Sequence, residues 1–179
     1  CPYCGGIGLA RNLDHYLPKS RFPQFSVLPD NLLPCCRDCN SESKHTSYAT
    51  TLEEQVIHPY FDGSHFFDEQ WVKARLCRDE PYFIYYYVEP PTHWSESDKS
   101  RVQTHFQCFD LSYRYGTQAA EELSTLIDQR RMFMKDFTAS QFSDYLQSIG
   151  NSPSLFPNHW KRIMYQALAL DTWFCGKAC

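Results

Sequence analysis

Two pairs of cysteines near the start of the chain have the spacing of metal ligands. Cys1 and Cys4 form one C-x-x-C pair, and Cys36 and Cys39 form the other. Two thiolates at this spacing bind the same ion, and two such pairs complete the tetrahedral sulfur site that zinc prefers. Gly5 follows the first pair, and glycine tolerates the positive φ with which a knuckle turns the chain back. The sequence therefore predicts a structural zinc ion bound by these four thiolates.

The same cysteines allow other assignments. Cys35 is adjacent to Cys36, but only Cys36 leaves the two-residue gap to Cys39, so Cys35 is left out of the site. Cys-Pro-Tyr-Cys is also the dithiol motif of glutaredoxins, where it opens a helix. Here the motif is followed by Gly-Gly-Ile-Gly, a sequence that disfavours a helix. A redox protein is therefore a less favoured alternative. Cys175 and Cys179 are interpreted as free thiols.

Polar residues between and after these pairs form a second pattern. The segments that carry it are Leu13-Asp14-His15-Tyr16-Leu17-Pro18, Asp30-Asn31-Leu32-Leu33-Pro34 and Cys39-Asn40-Ser41-Glu42-Ser43-Lys44. An Asp-His pair ends a predicted strand, an Asn follows 16 residues later, and a polar residue opens a predicted helix 9 residues beyond that. Together with the two C-x-x-C pairs, this pattern resembles the HNH (ββα-metal) family of endonucleases, over residues 1 to about 45.

The resemblance implies a catalytic site. His15 is the expected general base that activates water, and Asp14 and Asn40 are the expected ligands of a catalytic cation. An imidazole suits a general base at neutral pH if another group fixes its tautomer. Carboxylate and amide oxygens suit a hard ion such as Mg²⁺ or Mn²⁺. Because neighbours on a strand face opposite ways, a kink or bulge is expected at the strand end to bring Asp14 and His15 to one site.

Three further residues belong to the site that the resemblance implies. Asn31 is the middle letter of the motif and is expected to tie the long loop by hydrogen bonds to backbone, in support of His15. Lys44 stands four residues beyond Asn40 on a predicted helix and is expected to hold a phosphate. Many family members have a histidine at this position, so the lysine leaves the cation two protein ligands, which favours Mg²⁺ or Mn²⁺ over a catalytic zinc. His45 is a weaker candidate ligand.

The elements expected to position these residues divide the chain after residue 50. Residues 1–36 have dense Gly and Pro punctuation and short apolar runs, which indicate a knuckle, a short strand, a long loop and a second short strand. Residues 1–50 are predicted to form the zinc-stapled nuclease core. Residues 51–179 are predicted to form a mixed, then helical region for packing, nucleic-acid positioning or partner docking. The predicted fold class is α+β.

Sequence patterns predict the individual elements of the remaining chain. Short helices are expected over 40–49 and 68–77, the second with Trp71 and Ala74 facing inward. The aromatic run over 82–88 predicts a strand covered on both faces. Helical patterns then place inward stripes at Val102, Phe106 and Phe109 and from Ala120 to Phe137, a helix capped by Thr138 that stops at Gly150, and a last helix from near Pro157.

Charge and composition bear on partners and location. The net charge of −4 does not attract the chain to nucleic acid, so DNA contacts are expected from a local patch: Lys19, Arg21, Arg37 and Lys44. Nine cysteines, an odd number, suit metal coordination in a reducing compartment, so the cytoplasm is the expected location. No apolar run reaches the roughly 18 residues of a membrane span, so no membrane partner is expected.

These expectations combine into one function and one alternative. The function is hydrolysis of DNA phosphodiesters by a one-metal mechanism, with DNA favoured over RNA by family analogy alone. The resemblance extends to small HNH nucleases of bacterial anti-phage systems, including Septu-type ones that work beside an ATPase subunit, which makes an ATPase an expected partner. The alternative is a non-catalytic zinc-knuckle module that binds nucleic acid or protein.

Overall fold

The structure is a computed structural model that describes residues 1–44 and 48–176, except for the side chains of residues 42 and 43. His45 and Cys179, both considered above, lie outside the described residues. Helices and two small antiparallel sheets make up the described chain, which confirms the α+β class. No helix in this part of the chain is long and apolar enough to cross a membrane.

Two compact units divide the chain, and each is built from two separate stretches of sequence. Unit 1 comprises Cys1–Phe66 and Pro90–Leu111, and unit 2 comprises Phe67–Glu89 and Ser112–Cys179. The boundary predicted after residue 50 lies inside unit 1. The assignment of nuclease chemistry to residues 1–50 stays a prediction.

A two-stranded antiparallel sheet in unit 1 carries the candidate residues. Strand β1 spans Asn12–His15 and β2 spans Leu32–Cys35. Two 3₁₀ turns, Pro23–Phe25 and Pro29–Asn31, shape the loop that joins the strands, and each begins with a proline whose fixed φ suits a first helical position. The predicted order of knuckle, strand, long loop and strand is confirmed.

After β2 the chain winds into a π-helical turn over Asp38–Lys44. Such a turn closes i→i+5 hydrogen bonds instead of the i→i+4 bonds of an α-helix, and it is frequent at functional sites. The helix predicted over 40–49 differs in type and extent, because Tyr48 and Ala49 are not helical. The segment lacks an apolar stripe, and its serines and asparagine favour competing side-chain hydrogen bonds over a regular helix.

Unit 1 also contains helices α1 (His65–Asp68, which ends in unit 2) and α2 (Glu96–Cys108). Ser95 caps α2, since its side chain accepts a hydrogen bond from the backbone N–H of Asp98. The predicted inward stripe of Val102, Phe106 and Phe109 is confirmed, because all three side chains are buried. Burial of each such side chain stabilises the fold by about 1.5–3 kcal/mol, so α2 supplies much of the core of unit 1.

Unit 2 begins with a hairpin of strands β3 (Val72–Cys77) and β4 (Phe83–Val88). The helix predicted over 68–77 is therefore wrong. Six residues are too few to distinguish the period of a strand from that of a helix, and antiparallel pairing with the aromatic β4 decides between them. Trp71 is buried as predicted, but it precedes a strand.

The strand predicted over 82–88 is confirmed as β4, but it is covered on one face only. Ile84 and Tyr86 are buried, whereas Phe83 and Tyr85 are exposed. This alternation is the ordinary pattern of an antiparallel strand with one face toward a core. The prediction of two covered faces is therefore wrong.

Four helices follow in the part of the chain described up to residue 176: α3 (Leu111–Phe133, which begins in unit 1), α4 (Ala139–Gly150), α5 (Trp160–Leu170) and α6 (Thr172–Gly176). Thr138 caps α4 as predicted, in a reciprocal capping box with Gln141. The stripe predicted from Ala120 to Phe137 is wrong at both ends, because Ala120 is exposed and Phe137 lies beyond the end of α3. The core residues of α3 are Tyr115, Ala119, Leu123 and Leu126.

The junction between α4 and α5 explains two further boundaries. Gly150 is the last residue of α4, and a Cβ atom there would lie 3.0 Å from the side chain of Gln166, so close helix packing favours glycine. Helix α5 begins at Trp160 rather than near Pro157, because the side chain of His159 accepts a hydrogen bond from Lys161 N and caps the helix there.

Candidate metal centre and catalytic site

Four thiol sulfurs come together in unit 1. The Sγ atoms of Cys1, Cys4, Cys36 and Cys39 all lie within 4.8 Å of one another, and those of Cys4 and Cys36 are 3.9 Å apart. Zinc–sulfur bonds of about 2.3 Å in a tetrahedron place the sulfurs about 3.8 Å apart. The number, type and spacing of these donors fit a zinc ion. The predicted cluster is confirmed as a group that can hold a metal ion.

The backbone of the knuckle explains why these cysteines can converge. Gly5 and Gly6 have φ values of 61° and 86°, and Gly6 N donates to Cys1 O at 3.0 Å, which closes the turn. Gly8 N donates to Cys4 Sγ at 3.4 Å, a contact that favours a thiolate. The positive φ predicted for Gly5 is confirmed. The redox alternative requires a helix that begins at this motif, whereas the chain forms a turn here.

Cys35 lies outside the cluster, as predicted. It is fully buried, and burial raises the pKa of its thiol to about 11, with a further contribution from the charge of Asp14. Its sulfur is not one of the four that converge, so geometry keeps Cys35 out of the site.

The knuckle is anchored to α2 by a buried histidine. His105 Nε2 lies 2.8 Å from Tyr3 O, and His105 Nδ1 accepts a hydrogen bond from Ile57 N at 3.1 Å. Because Tyr3 O can only accept, Nε2 carries the hydrogen and the ring is neutral. The ring of Tyr3 stacks on Phe109 with centroids 4.5 Å apart. His105 is thus a packing residue that joins the knuckle to α2.

The neutral state of His105 gives unit 1 a pH-dependent stability. Burial lowers its pKa to about 4, from an ordinary value near 6.5. Between these two pH values the unfolded chain binds a proton at His105 and the folded chain does not. The contribution of neutral His105 to the free energy of unfolding is therefore complete above pH 6.5 and is lost as the pH falls toward 4. The loss amounts to about 3 kcal/mol, at about 1.4 kcal/mol per pKa unit. Urea unfolding between pH 7.5 and 4.5 measures it.

His105→Gln is the control for this prediction, because glutamine does not titrate. Loss of the metal ion in acid affects both proteins, so the difference between their stability slopes isolates His105. Equal slopes for the two proteins contradict the prediction.

Asp14 is buried on the side of β1 that faces Tyr3 and Lys44. Its Oδ2 atom accepts hydrogen bonds from Tyr3 Oη at 2.8 Å and from Lys44 Nζ at 2.5 Å. Burial and the adjacent carboxylate raise the pKa of Tyr3 far above its usual value, so its hydroxyl remains a donor. Within the described residues, no three His, Cys, Asp or Glu side chains that include Asp14 form a group fit to hold a metal ion.

Lys44 is buried as deeply as its partner, with 5% of its side chain exposed against 4% for Asp14. Its Nζ atom also donates to His15 O at 2.8 Å and lies over the ring of Tyr16, 5.1 Å from the centroid. Burial lowers the pKa of Lys44, and Asp14 opposes this shift. The expected contact of Lys44 with a phosphate stays a prediction, since Asp14 holds its ammonium here.

The side chain of His15 contacts the loop that joins β1 and β2. Its Nε2 atom lies 3.0 Å from Ser26 O. A carbonyl oxygen can only accept, so Nε2 carries the hydrogen and Nδ1 presents its lone pair. The tautomer is therefore fixed by the loop backbone.

The bulge expected at the end of β1 is not present. Asp14 pairs with Leu33 and His15 with Leu32 in a regular antiparallel register, which Tyr16 continues by donating from N to Asn31 O at 2.9 Å. Because regular strands alternate, Asp14 contacts Tyr3 and Lys44 while His15 contacts Ser26. The structure does not bring the two side chains to a common partner, although Lys44 links the Asp14 carboxylate to the His15 backbone.

Asn31 ties the loop to the sheet through its buried side chain. Its Oδ1 accepts from Leu17 N at 2.6 Å, and its Nδ2 donates to Leu17 O and Phe25 O, both at 3.1 Å. Phe25 directly precedes Ser26, so the bond to Phe25 O fixes the backbone next to the carbonyl that His15 contacts. Asn31 is thus connected to His15 through the loop.

The remaining predicted residues are placed as follows. Asn40 is half-buried in the π-helical turn, beside the cysteine cluster. Lys19, Arg21 and Arg37 are exposed, whereas Lys44 is buried and does not belong to an exposed basic patch.

Sequence reasoning missed two groups of residues. Tyr3 stands at a variable position of the first C-x-x-C pair, and nothing in its spacing marks it as a partner of Asp14. Arg101 forms a bidentate ion pair with Asp62, with bonds of 2.7 and 2.5 Å. Burial alone would raise the pKa of Asp62, but Arg101 and the backbone of His58 hold it below its usual value. The segment around His58 is a packed turn.

Comparison with known proteins finds one relative of note. The chain is 42% identical over 180 aligned residues to Protein ea31 of Escherichia phage lambda, whose name states no activity. The match covers 94% of this chain and 61% of the relative, so the chain spans about three fifths of the relative's length. No protein-family model matches the chain. No solved structure matches it either.

Proposed function

We propose that this chain is a metal-dependent endonuclease of the HNH type that hydrolyses DNA phosphodiester bonds. The observation that carries the proposal is the contact between His15 Nε2 and Ser26 O. It leaves Nδ1 as the basic nitrogen, on a residue that directly follows a carboxylate and is supported by the Asn31 network. A histidine with its tautomer fixed by a backbone carbonyl is what a general base requires.

The reaction divides among the residues of unit 1 as follows. His15 Nδ1 takes a proton from the water molecule whose oxygen attacks the phosphorus. Asp14 and Asn40 would hold the cation through a carboxylate and an amide oxygen, the ligand types that Mg²⁺ and Mn²⁺ prefer. When bound, such an ion neutralises the charge that develops on the phosphate and the leaving oxygen. Asn31 keeps the loop in position, and the exposed Lys19, Arg21 and Arg37 contact flanking phosphates.

The four-cysteine cluster is proposed to hold a structural zinc ion. All four donors are thiolates, and no ligand position remains for a substrate, which is the pattern of a structural site and not of a catalytic one. DNA as the substrate, an ATPase subunit as a partner and a role in anti-phage defence are parts of the same proposal that rest on the resemblance alone.

The first experiment measures divalent-dependent cutting of plasmid and single-stranded DNA. Wild-type protein is expected to cut with Mn²⁺ or Mg²⁺, whereas Asn40→Ala is expected to lose about 100-fold or more in rate because a ligand of the ion is gone. Asn40→Asp restores an oxygen donor and is expected to recover much of the activity. Metal analysis must show one zinc in each protein. Equal cutting by wild type and Asn40→Ala contradicts the proposed cation site.

A second function is favoured by one specific observation. The carboxylate of Asp14 is buried against Lys44 and Tyr3, which is the arrangement of a structural ion pair. A non-catalytic zinc-knuckle module that binds nucleic acid or protein needs only the four thiolates and an exposed face. Zinc and DNA binding without any cutting, even with an ATPase partner supplied, would favour this function.

A further inference from the structure

Lys44 occupies a site built for a positive charge, and an inference about its role rests on the proposed function. Its ammonium is enclosed by Asp14 Oδ2, His15 O and the rings of Tyr3 and Tyr16. Aromatic faces and oxygen acceptors are both favourable surroundings for a cation. The π-helical turn ends at Lys44, so the turn delivers this charge to the end of β1.

The position of Lys44 conflicts with a second cation on the same carboxylate. Tyr3 and Lys44 both bond to Oδ2, and a divalent ion on Asp14 would stand beside an ammonium that lies 2.5 Å from that oxygen. Like charges at such separations repel strongly in a buried site. In the free protein the Lys44 ammonium already neutralises the Asp14 carboxylate. A divalent ion must displace this ammonium or bind beside it against electrostatic repulsion.

We propose that Lys44 is an internal counter-ion that holds Asp14 in the free protein and is exchanged for the divalent ion when a phosphate group arrives to accept its ammonium. Metal ion and DNA then bind cooperatively, since each favours release of the same lysine. The exchange requires only a change of partner: Lys44 Nζ leaves Asp14 Oδ2 and pairs with a phosphate oxygen. The protein thus binds the divalent ion weakly until a phosphodiester is present.

The test is the affinity for Mn²⁺, measured by electron paramagnetic resonance without any cleavage. All proteins carry His15→Ala so that DNA stays intact. Without DNA, Lys44→Met is expected to bind Mn²⁺ about tenfold or more tightly than the parent, because the competing charge is gone. A short DNA duplex is expected to tighten Mn²⁺ binding by the parent about tenfold and by Lys44→Met much less. Lys99→Met is the matched control: it removes a lysine of unit 1 whose partner is the exposed Glu96.

Each outcome decides the proposal. Equal or weaker Mn²⁺ binding by Lys44→Met overturns the exchange and makes the lysine a structural or positioning residue, with the nuclease proposal intact. Failure of every protein to bind Mn²⁺, with or without DNA, overturns the exchange together with the catalytic cation of the proposed function. If Lys44→Met does not fold, Lys44→Gln retains a hydrogen-bond donor to Asp14 without the charge and is expected to show the same two changes.

Discussion

Removal of the metal ion from the four-cysteine cluster is expected to unfold the first 44 residues of unit 1. This stretch buries few large apolar side chains besides Tyr3 and Leu33, so hydrophobic burial alone cannot hold it. Small zinc modules gain about 10–16 kcal/mol from the metal, which exceeds the whole stability of many domains. Chelation followed by circular dichroism and amide hydrogen exchange should show loss of protection in β1 and β2.

Two cysteine variants make this prediction specific. Cys36→Ser removes a thiolate of the cluster and is expected to lose the ion and the fold of the knuckle. Cys35→Ser alters the adjacent buried thiol and is expected to retain one metal ion, because Cys35 is not one of the four clustered cysteines. If Cys36→Ser keeps its metal and is as stable as Cys35→Ser, the cluster does not stabilise unit 1.

His15→Ala is expected to lower the rate of DNA cutting by about 10²–10⁴-fold, the usual contribution of a general base. The fold should survive, since the substitution removes a single hydrogen bond to Ser26 O, worth about 1 kcal/mol. Plasmid nicking under single-turnover conditions measures the effect, with zinc content and thermal stability measured on the same sample.

A matched variant and a rescue separate chemistry from structure. His93→Ala removes an exposed histidine of the same unit and is expected to cut at the wild-type rate. Added imidazole should restore part of the activity of His15→Ala, because a free base can enter the space left by the side chain. Cutting by His15→Ala at the wild-type rate would exclude His15 as the base.

Local spacing accounts for what the sequence predicted well. Each C-x-x-C pair, the glycine with positive φ and the cap at Thr138 depend on residues within a few positions of one another. Such features are set by backbone sterics and by short-range hydrogen bonds, which do not depend on the rest of the fold.

The features that the sequence analysis missed depend on partners far apart in sequence. The strand at Val72–Cys77 exists because β4 pairs with it, and a helix is equally compatible with its residues taken alone. The bond of Asp14 to Lys44 spans 30 residues, and that of Tyr3 to His105 spans 102. Neither contact leaves a periodic or spacing signal. The sequence assigns Asp14 to a cation and Lys44 to a phosphate, and it gives no sign of the ion pair between the two.

The discontinuity of unit 1 has a consequence for how the chain matures on the ribosome. All four cysteines of the cluster have been synthesised once the chain reaches residue 39. His105 and Arg101, the partners of Tyr3 and Asp62, are synthesised much later. At about 5–20 residues per second, the 45 residues from 67 to 111 take roughly 2–9 s to make. The nascent knuckle can therefore capture its ion seconds before its helix partner exists. A fragment of residues 1–50 corresponds to this stage of synthesis, in which the knuckle is present and α2 is not.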